Sequence, residues 1–220
     1  MIFPSADLGP CAYNRAMLTV VIQAGGQSTR MGRDKALLPF LGQPLIKRLV
    51  ARLTPIAAEI IITTNRPADY AFLGLPLYVD KITERGALGG LYTAIEAASQ
   101  PKVAVVACDM PFASPALLQF QSNLLDSEST DVVIPKTDLG YEPLHAVYRR
   151  EACLPAIEQA IRADQWKVIS WFPQVRVRVL SADELTQNDP RGLAFVNVNT
   201  PEELARAEDL ARQIDSPSSI

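Results

Sequence analysis

The sequence is short of the residues that build many kinds of reactive centre. There is one histidine, His145, in 220 residues. That excludes multi-histidine metal sites and leaves no triad-like set. The three cysteines, Cys11, Cys108 and Cys153, are odd in number and widely spaced, with no C-x-x-C. Neither a disulfide framework nor a zinc site follows from them, and the usage suits a reducing, cytoplasmic compartment. No window approaches the ~18–20 uninterrupted apolar residues of a membrane span. No low-complexity or heptad stretch is long enough for a fibrous or disordered chain. The net charge of −3 gives no basic field of the kind that binds nucleic acid.

What remains is an ordinary globular composition, 48 % hydrophobic and 20 % charged. The opening segment MIFPSADLGPCAYNRAM lacks the apolar core of a secretory signal. It reads as an irregular leader over 1–17, with Met17 a candidate functional start. The apolar, β-branched runs at 18–23 (LTVVIQ), 59–63 (EIIIT), 76–79 (PLYV) and 103–107 (VAVVA) predict buried strands. Further strands are expected at 131–134, around 144–148, at 175–180 and at 194–198. Helices are expected after Pro44 (LIKRLVARL), after Gly89-Gly90 (LYTAIEAA), from Ser114-Pro115 (ALLQFQSNLL) and from Thr200-Pro201 (EELARAEDLARQI). Strands alternating with helices, with no Pro- or Gly-rich linker between them, predict a single α/β domain. Its sheet is mostly parallel and covered on both faces, a three-layer α/β/α arrangement.

Ligands of such sheets bind beyond the carboxyl ends of the strands. Here those ends carry AGGQSTRMGRDK, TN, DKITERGALGG and DMPF. In the first, a glycine pair lets backbone N–H groups approach an anion, while Arg30 and Lys35 add positive charge. The composition is that of a phosphate cradle. It is not a Walker A loop, since Gly32 is followed by Arg33. It is not a G-x-G-x-x-G dinucleotide fingerprint either. Asp109, at the mouth of the fourth apolar run, has the hard oxygens of a Mg²⁺ ligand. It would equally serve as a helix N-cap.

The stretch Gln23-Ala24-Gly25-Gly26-Gln27-Ser28-Thr29-Arg30-Met31-Gly32-Arg33-Asp34-Lys35 resembles the L-A-G-G-x-S-x-R-M-G-x-x-K loop of a nucleotidyltransferase family. Residues 30–39, with Cys108-Asp109-Met110-Pro111 and Asn197-Val198-Asn199-Thr200-Pro201-Glu202-Glu203-Leu204, are most similar to the molybdenum cofactor guanylyltransferases. Gln23 stands where that family usually has leucine, and Ala87 where it has proline. The resemblance covers about residues 18–213, leaving 214–220 as a tail.

It implies a Rossmann-like fold of the nucleotide-diphospho-sugar transferase type. It also implies transfer of GMP from GTP to the terminal phosphate of molybdopterin or Mo-molybdopterin, with release of pyrophosphate. Arg30, Lys35 and Asp109 become the expected catalytic residues. Gln23, Ala24, Gly25, Gly26, Lys35, Asn65, Asp80, Gly86, Gly90 and Asp109 would bind the nucleotide. Mg²⁺ would sit on Asp109, with Asn199 as a second oxygen. Lys167, Asn197, Asn199 and His145 mark the acceptor side, where His145 reads equally as a structural histidine. Trp166 and Trp171 read as packing residues. Other molybdenum cofactor or molybdoenzyme maturation proteins would be partners; nucleic acid and membranes would not. Spacing alone leaves open a cytidylyltransferase, a sugar- or polyol-phosphate nucleotidyltransferase, and a non-catalytic GTP-binding protein.

Overall fold

The structure, a computed structural model, describes residues 18–24, 34–82 and 86–215. The expected leader, the glycine loop with Gly25, Gly26 and Arg30, and the end of the tail lie outside them.

Seven strands form the main sheet: β1 (Leu18–Gln23), β2 (Glu59–Thr63), β3 (Leu77–Tyr78), β4 (Lys102–Ala107), β5 (Val132–Ile134), β6 (His145–Arg149) and β7 (Val177–Val179). Their order is β7-β5-β6-β4-β1-β2-β3. β1 pairs in parallel with both β2 (Val20 opposite Ile60) and β4 (Val20 opposite Ala104). β6 runs antiparallel between β4 and β5, so the sheet is mixed but mostly parallel. Among the described residues six helices of seven residues or more accompany it: α1 (Leu45–Leu53), α2 (Gly86–Ala97), α3 (Pro115–Ser127), α4 (Arg150–Arg162), α5 (Ala182–Asn188) and α6 (Pro201–Asp215).

The period-two geometry of a strand sends alternate side chains to opposite faces, and here both faces are dry. Leu18, Val20 and Ile22 of β1 join one apolar layer with Ile46, Leu49, Leu117 and Leu118 from α1 and α3. Val21 joins the other, with Leu91 and Ile95 of α2 and Ile157 of α4. That double burial is why β1 and β4 read as continuous apolar runs rather than alternating ones. A third cluster packs Ala207 and Ala211 of α6 against Phe40, Leu45 and Phe112.

Two expectations fail. Residues 194–198 form no strand. Ala194 and Val198 are buried, but the segment packs beside the sheet, and Val198 N donates at 2.9 Å to Asp109 O in the turn after β4. The helix expected after Gly89-Gly90 begins earlier, at Gly86, and contains both glycines. No helix among the described residues is long and apolar enough to cross a membrane.

Candidate active site

In the strand order the chain leaves β1 toward β2 on one side, while β4 flanks it on the other. The crevice above the carboxyl ends of β1 and β4 is the ligand position such a reversal creates. Three strand ends are stitched together there: Cys108 N donates to Gln23 O at 3.0 Å, joining β4 to β1, and Ala24 N to Thr63 O at 2.7 Å, joining β1 to β2.

From the first end, the chain resumes at Asp34, which caps a single 3₁₀ turn, Lys35–Leu37. Its Oδ1 accepts from Ala36 N at 3.1 Å. From the second end, a tight turn closed by Met110 N on Ala107 O presents Asp109. The Asp109 carbonyl accepts from Val198 N, which fixes the Asn197–Thr200 segment beside it. That segment is held in turn by a reciprocal cap of α6: Glu203 Oε2 accepts from Asn199 N at 2.6 Å and Thr200 N at 3.1 Å, while Glu203 N donates to Thr200 Oγ1 at 3.2 Å. Such an arrangement satisfies the free N–H groups of a helix start.

The three elements converge on one cation. Lys35 Nζ donates to Asn199 Oδ1 at 2.6 Å and lies 3.5 Å from Asp109 Oδ2. Burial pushes the Asp109 carboxyl above its ordinary value. Lys35 opposes that shift without cancelling it, and Glu203 adds to it. An Asp109 carboxylate incompletely neutralised by its neighbours is suited to bind further positive charge. Asp109 and Asn199 both offer hard oxygens, the donor type that suits a divalent cation, and both face the Lys35 ammonium. No group of three or more His, Cys, Asp or Glu side chains gathers into a metal cage among the described residues. Magnesium keeps waters and phosphate oxygens alongside one or two protein ligands.

The other residues expected on the nucleotide side lie along this edge. Asn65 Nδ2 donates to Asp80 Oδ2 at 3.2 Å, and Asp80 N to Asn65 Oδ1 at 3.3 Å. The reciprocal pair bridges the ends of β2 and β3. Burial raises the Asp80 carboxyl, and the Asn65 bond partly reverses this. A Cβ on Gly90 would stand 3.0 Å from Gln23 Nε2. The glycine is what lets α2 approach the end of β1. The Gly86–Gly90 strip is thus a helix start rather than a loop.

The residues expected on the acceptor side separate. Asn199 belongs to the cluster with Lys35 and Asp109. His145 is wholly buried; its Nε2 accepts from Ser114 N at 3.1 Å, its ring meets Phe195 edge-on, and burial lowers its pKa to about 4. Of its two readings the structural one describes this environment. Asn197 is exposed and bonded to Phe195 O at 3.3 Å. Lys167 is exposed after α4, outside the hydrogen-bonded cluster. Trp171 is buried as expected, but Trp166 is 58 % exposed. It follows the end of α4 rather than lying on its inner face. Sequence reasoning also missed Glu203 and Asp34. The signal for Glu203 was present, as T-x-x-E at 200–203 is a capping-box pattern.

The MobA-like NTP transferase domain model matches residues 20–177. A probable molybdenum cofactor guanylyltransferase of Pelotomaculum thermopropionicum is 40 % identical over 193 residues, 88 % of this chain and 93 % of that protein. One from Carboxydothermus hydrogenoformans is 38 % identical over 184 residues, covering 84 % and 91 %. The crystal structure of molybdopterin-guanine dinucleotide biosynthesis protein A from Archaeoglobus fulgidus superimposes with a TM-score of 0.76 at 25 % identity, covering 89 % of this chain and 99 % of that one. With the sheet order, the crevice and these likenesses in agreement, the chain belongs to the family of MobA-like NTP transferase domains.

Proposed function

We propose that this protein transfers GMP from GTP to the terminal phosphate of molybdopterin or Mo-molybdopterin. The observation that carries the reading is the approach of Lys35 Nζ to Asp109 Oδ2, 3.5 Å, from two different strand ends at the crevice. A cation for the triphosphate and a carboxylate for a metal are thereby directed at one substrate. The names of the relatives at 38 and 40 % identity support guanine as the base and molybdopterin as the acceptor.

The nucleophile is a phosphate monoester oxygen, already anionic near neutral pH because its second pKa is about 6. It forms a bond to the α-phosphorus of GTP. The bond from that phosphorus to the oxygen bridging to the β-phosphate breaks in line, and pyrophosphate leaves with the electron pair. No general base is needed, which suits a site whose nearest histidine is buried. The work of the protein is alignment and charge compensation. Lys35 meets the negative charge growing on the triphosphate, as Arg30 would from the glycine loop with Gly25 and Gly26. Asn199 and Asp109 orient the Lys35 ammonium. Asp109 and Asn199 would hold Mg²⁺, which when bound neutralises phosphate charge. Gln23, Ala24, Asn65, Asp80, Gly86 and Gly90 line the nucleoside side. Lys167 and Asn197 remain acceptor candidates, and the unpaired Cys108 and Cys153 suit the cytoplasm.

The test is a panel of GTP, CTP, UTP and ATP with Mg²⁺ and purified molybdopterin, reading product mass and pyrophosphate. A guanine dinucleotide product from GTP alone is expected. A cytosine product would make the protein a cytidylyltransferase. Nucleotide binding without pyrophosphate release would reduce it to a GTP-binding accessory protein.

A further inference from the structure

Lys35 is anchored from a direction that neither the nucleotide nor the metal supplies. The residue before it, Asp34, uses both carboxylate oxygens: Oδ1 accepts from Ala36 N at 3.1 Å and Oδ2 accepts from Tyr70 Oη at 2.7 Å. Tyr70 is fully buried, at the end of the single helical turn Pro67–Tyr70 that follows β2. Its ring is part of the sheet's main apolar layer, so its hydroxyl is a fixed point, and the bond to a carboxylate is of the stronger, charge-assisted kind. Asp34 adjoins Lys35 in sequence. Engaged in this way, its negative charge is held off the Lys35 ammonium, which reaches instead to Asn199 and Asp109.

We propose that Tyr70 is a positioning residue for the transfer reaction, acting through Asp34 to hold Lys35 toward Asn199 and Asp109. The turn carrying Tyr70 also follows Asn65, so the nucleoside edge and the triphosphate cation share one rigid support.

The experiment has two arms. The first is competitive acetylation of the ligand-free protein, read by mass spectrometry. Lys35 is scored against Lys102, which is buried and bonded to Asp126 at 2.6 Å and so reports unfolding. Tyr70→Phe keeps the ring and removes the hydroxyl; it should raise the Lys35 rate at least threefold with Lys102 unchanged. Asp34→Ala, on a partly exposed turn, should do the same, and it decides the matter if Tyr70→Phe does not fold. The second arm is turnover. Tyr70→Phe should lower kcat about tenfold or more, as loss of a hydrogen bond to a charged group does, with KM for GTP within threefold. In a Lys35→Ala background the same change should alter kcat less than twofold. Unchanged Lys35 labelling, labelling of Lys35 and Lys102 that rises together, unchanged kcat, or a kcat loss that persists without Lys35 would each overturn the proposal. The turnover arm rests on the proposed reaction. If wild-type protein turns over no nucleotide, that reading fails while the labelling arm still decides the role of Tyr70.

Discussion

The Lys35 ammonium stands closer to the neutral amide oxygen of Asn199, at 2.6 Å, than to the carboxylate of Asp109, at 3.5 Å. The amide is thus a spacer that keeps cation and anion from closing into a tight pair. Removing it with Asn199→Ala should let Lys35 collapse onto Asp109. We expect turnover to fall about tenfold or more, since one charge-bearing hydrogen bond is worth roughly 1.5–3 kcal/mol. Steady-state kinetics across a magnesium titration would check this, the required magnesium concentration rising as Asp109 becomes occupied by its neighbour.

Asp109→Asn should abolish metal-dependent turnover and leave the fold intact. The carboxyl sits above its ordinary value because burial disfavours its charge. A group whose folded value is raised favours the fold below its unfolded value, and that advantage disappears as pH rises through the folded one. At neutral pH the charged side chain therefore opposes folding. The variant should melt at the same temperature as wild type or higher, and the difference should grow as pH rises through the carboxylate range. Melting curves at several pH values beside a turnover assay would check both halves.

Lys35→Ala should lower kcat by about 10²-fold or more, the scale seen when a donor to developing negative charge is lost. Lys35→Arg should recover only part, since a planar fork does not substitute for a compact ammonium between two oxygens. A loss under threefold in Lys35→Ala would remove the lysine from the mechanism.

His145 makes stability depend on pH away from the site. Its pKa is about 4 in the folded protein and about 6.5 in an unfolded chain. Between those values the unfolded chain binds the extra proton, so stability falls as pH drops from 6.5 toward 4. The accumulated loss is about 3 kcal/mol, at about 1.4 kcal/mol per pH step. Denaturant melts across that range should show the slope, and His145→Gln should flatten it.

Much of the fold is legible because its strands are doubly buried. Val103–Ala107 is wholly apolar and Leu18–Ile22 carries a single, buried polar residue, Thr19, so neither shows a solvent face to confuse the pattern, and Ser114-Pro115 and Thr200-Pro201 announce their helices with the chemistry of caps. What was not legible has local reasons. Gly86, Gly89 and Gly90 lie inside a helix that intrinsic preference argues against, because Gly90 must let α2 pass close to Gln23. Phe195-Val196-Asn197-Val198 reads as a strand, yet it serves as a strap whose backbone bond goes to Asp109. Pro155 discourages a helix at 150–162, although Cys153, Ala156, Ile157 and Ala160 keep the spacing of a buried stripe. In the site, Asp109 and Lys35 stand out by type and place. The Tyr70–Asp34 bond joins residues that nothing in the linear chain relates.

The last sheet strand ends at Val179, while Asn199 and Glu203 come later, on the strap and on α6. During synthesis the whole β framework, with Asp34, Tyr70 and Asp109, can assemble before Asn199 and Glu203 have left the ribosome. Until α6 docks, Phe40 and Phe112 lack the alanines that cover them. A nascent chain at that stage would be folded in outline and sticky at one shoulder, its lysine still lacking the Asn199 amide.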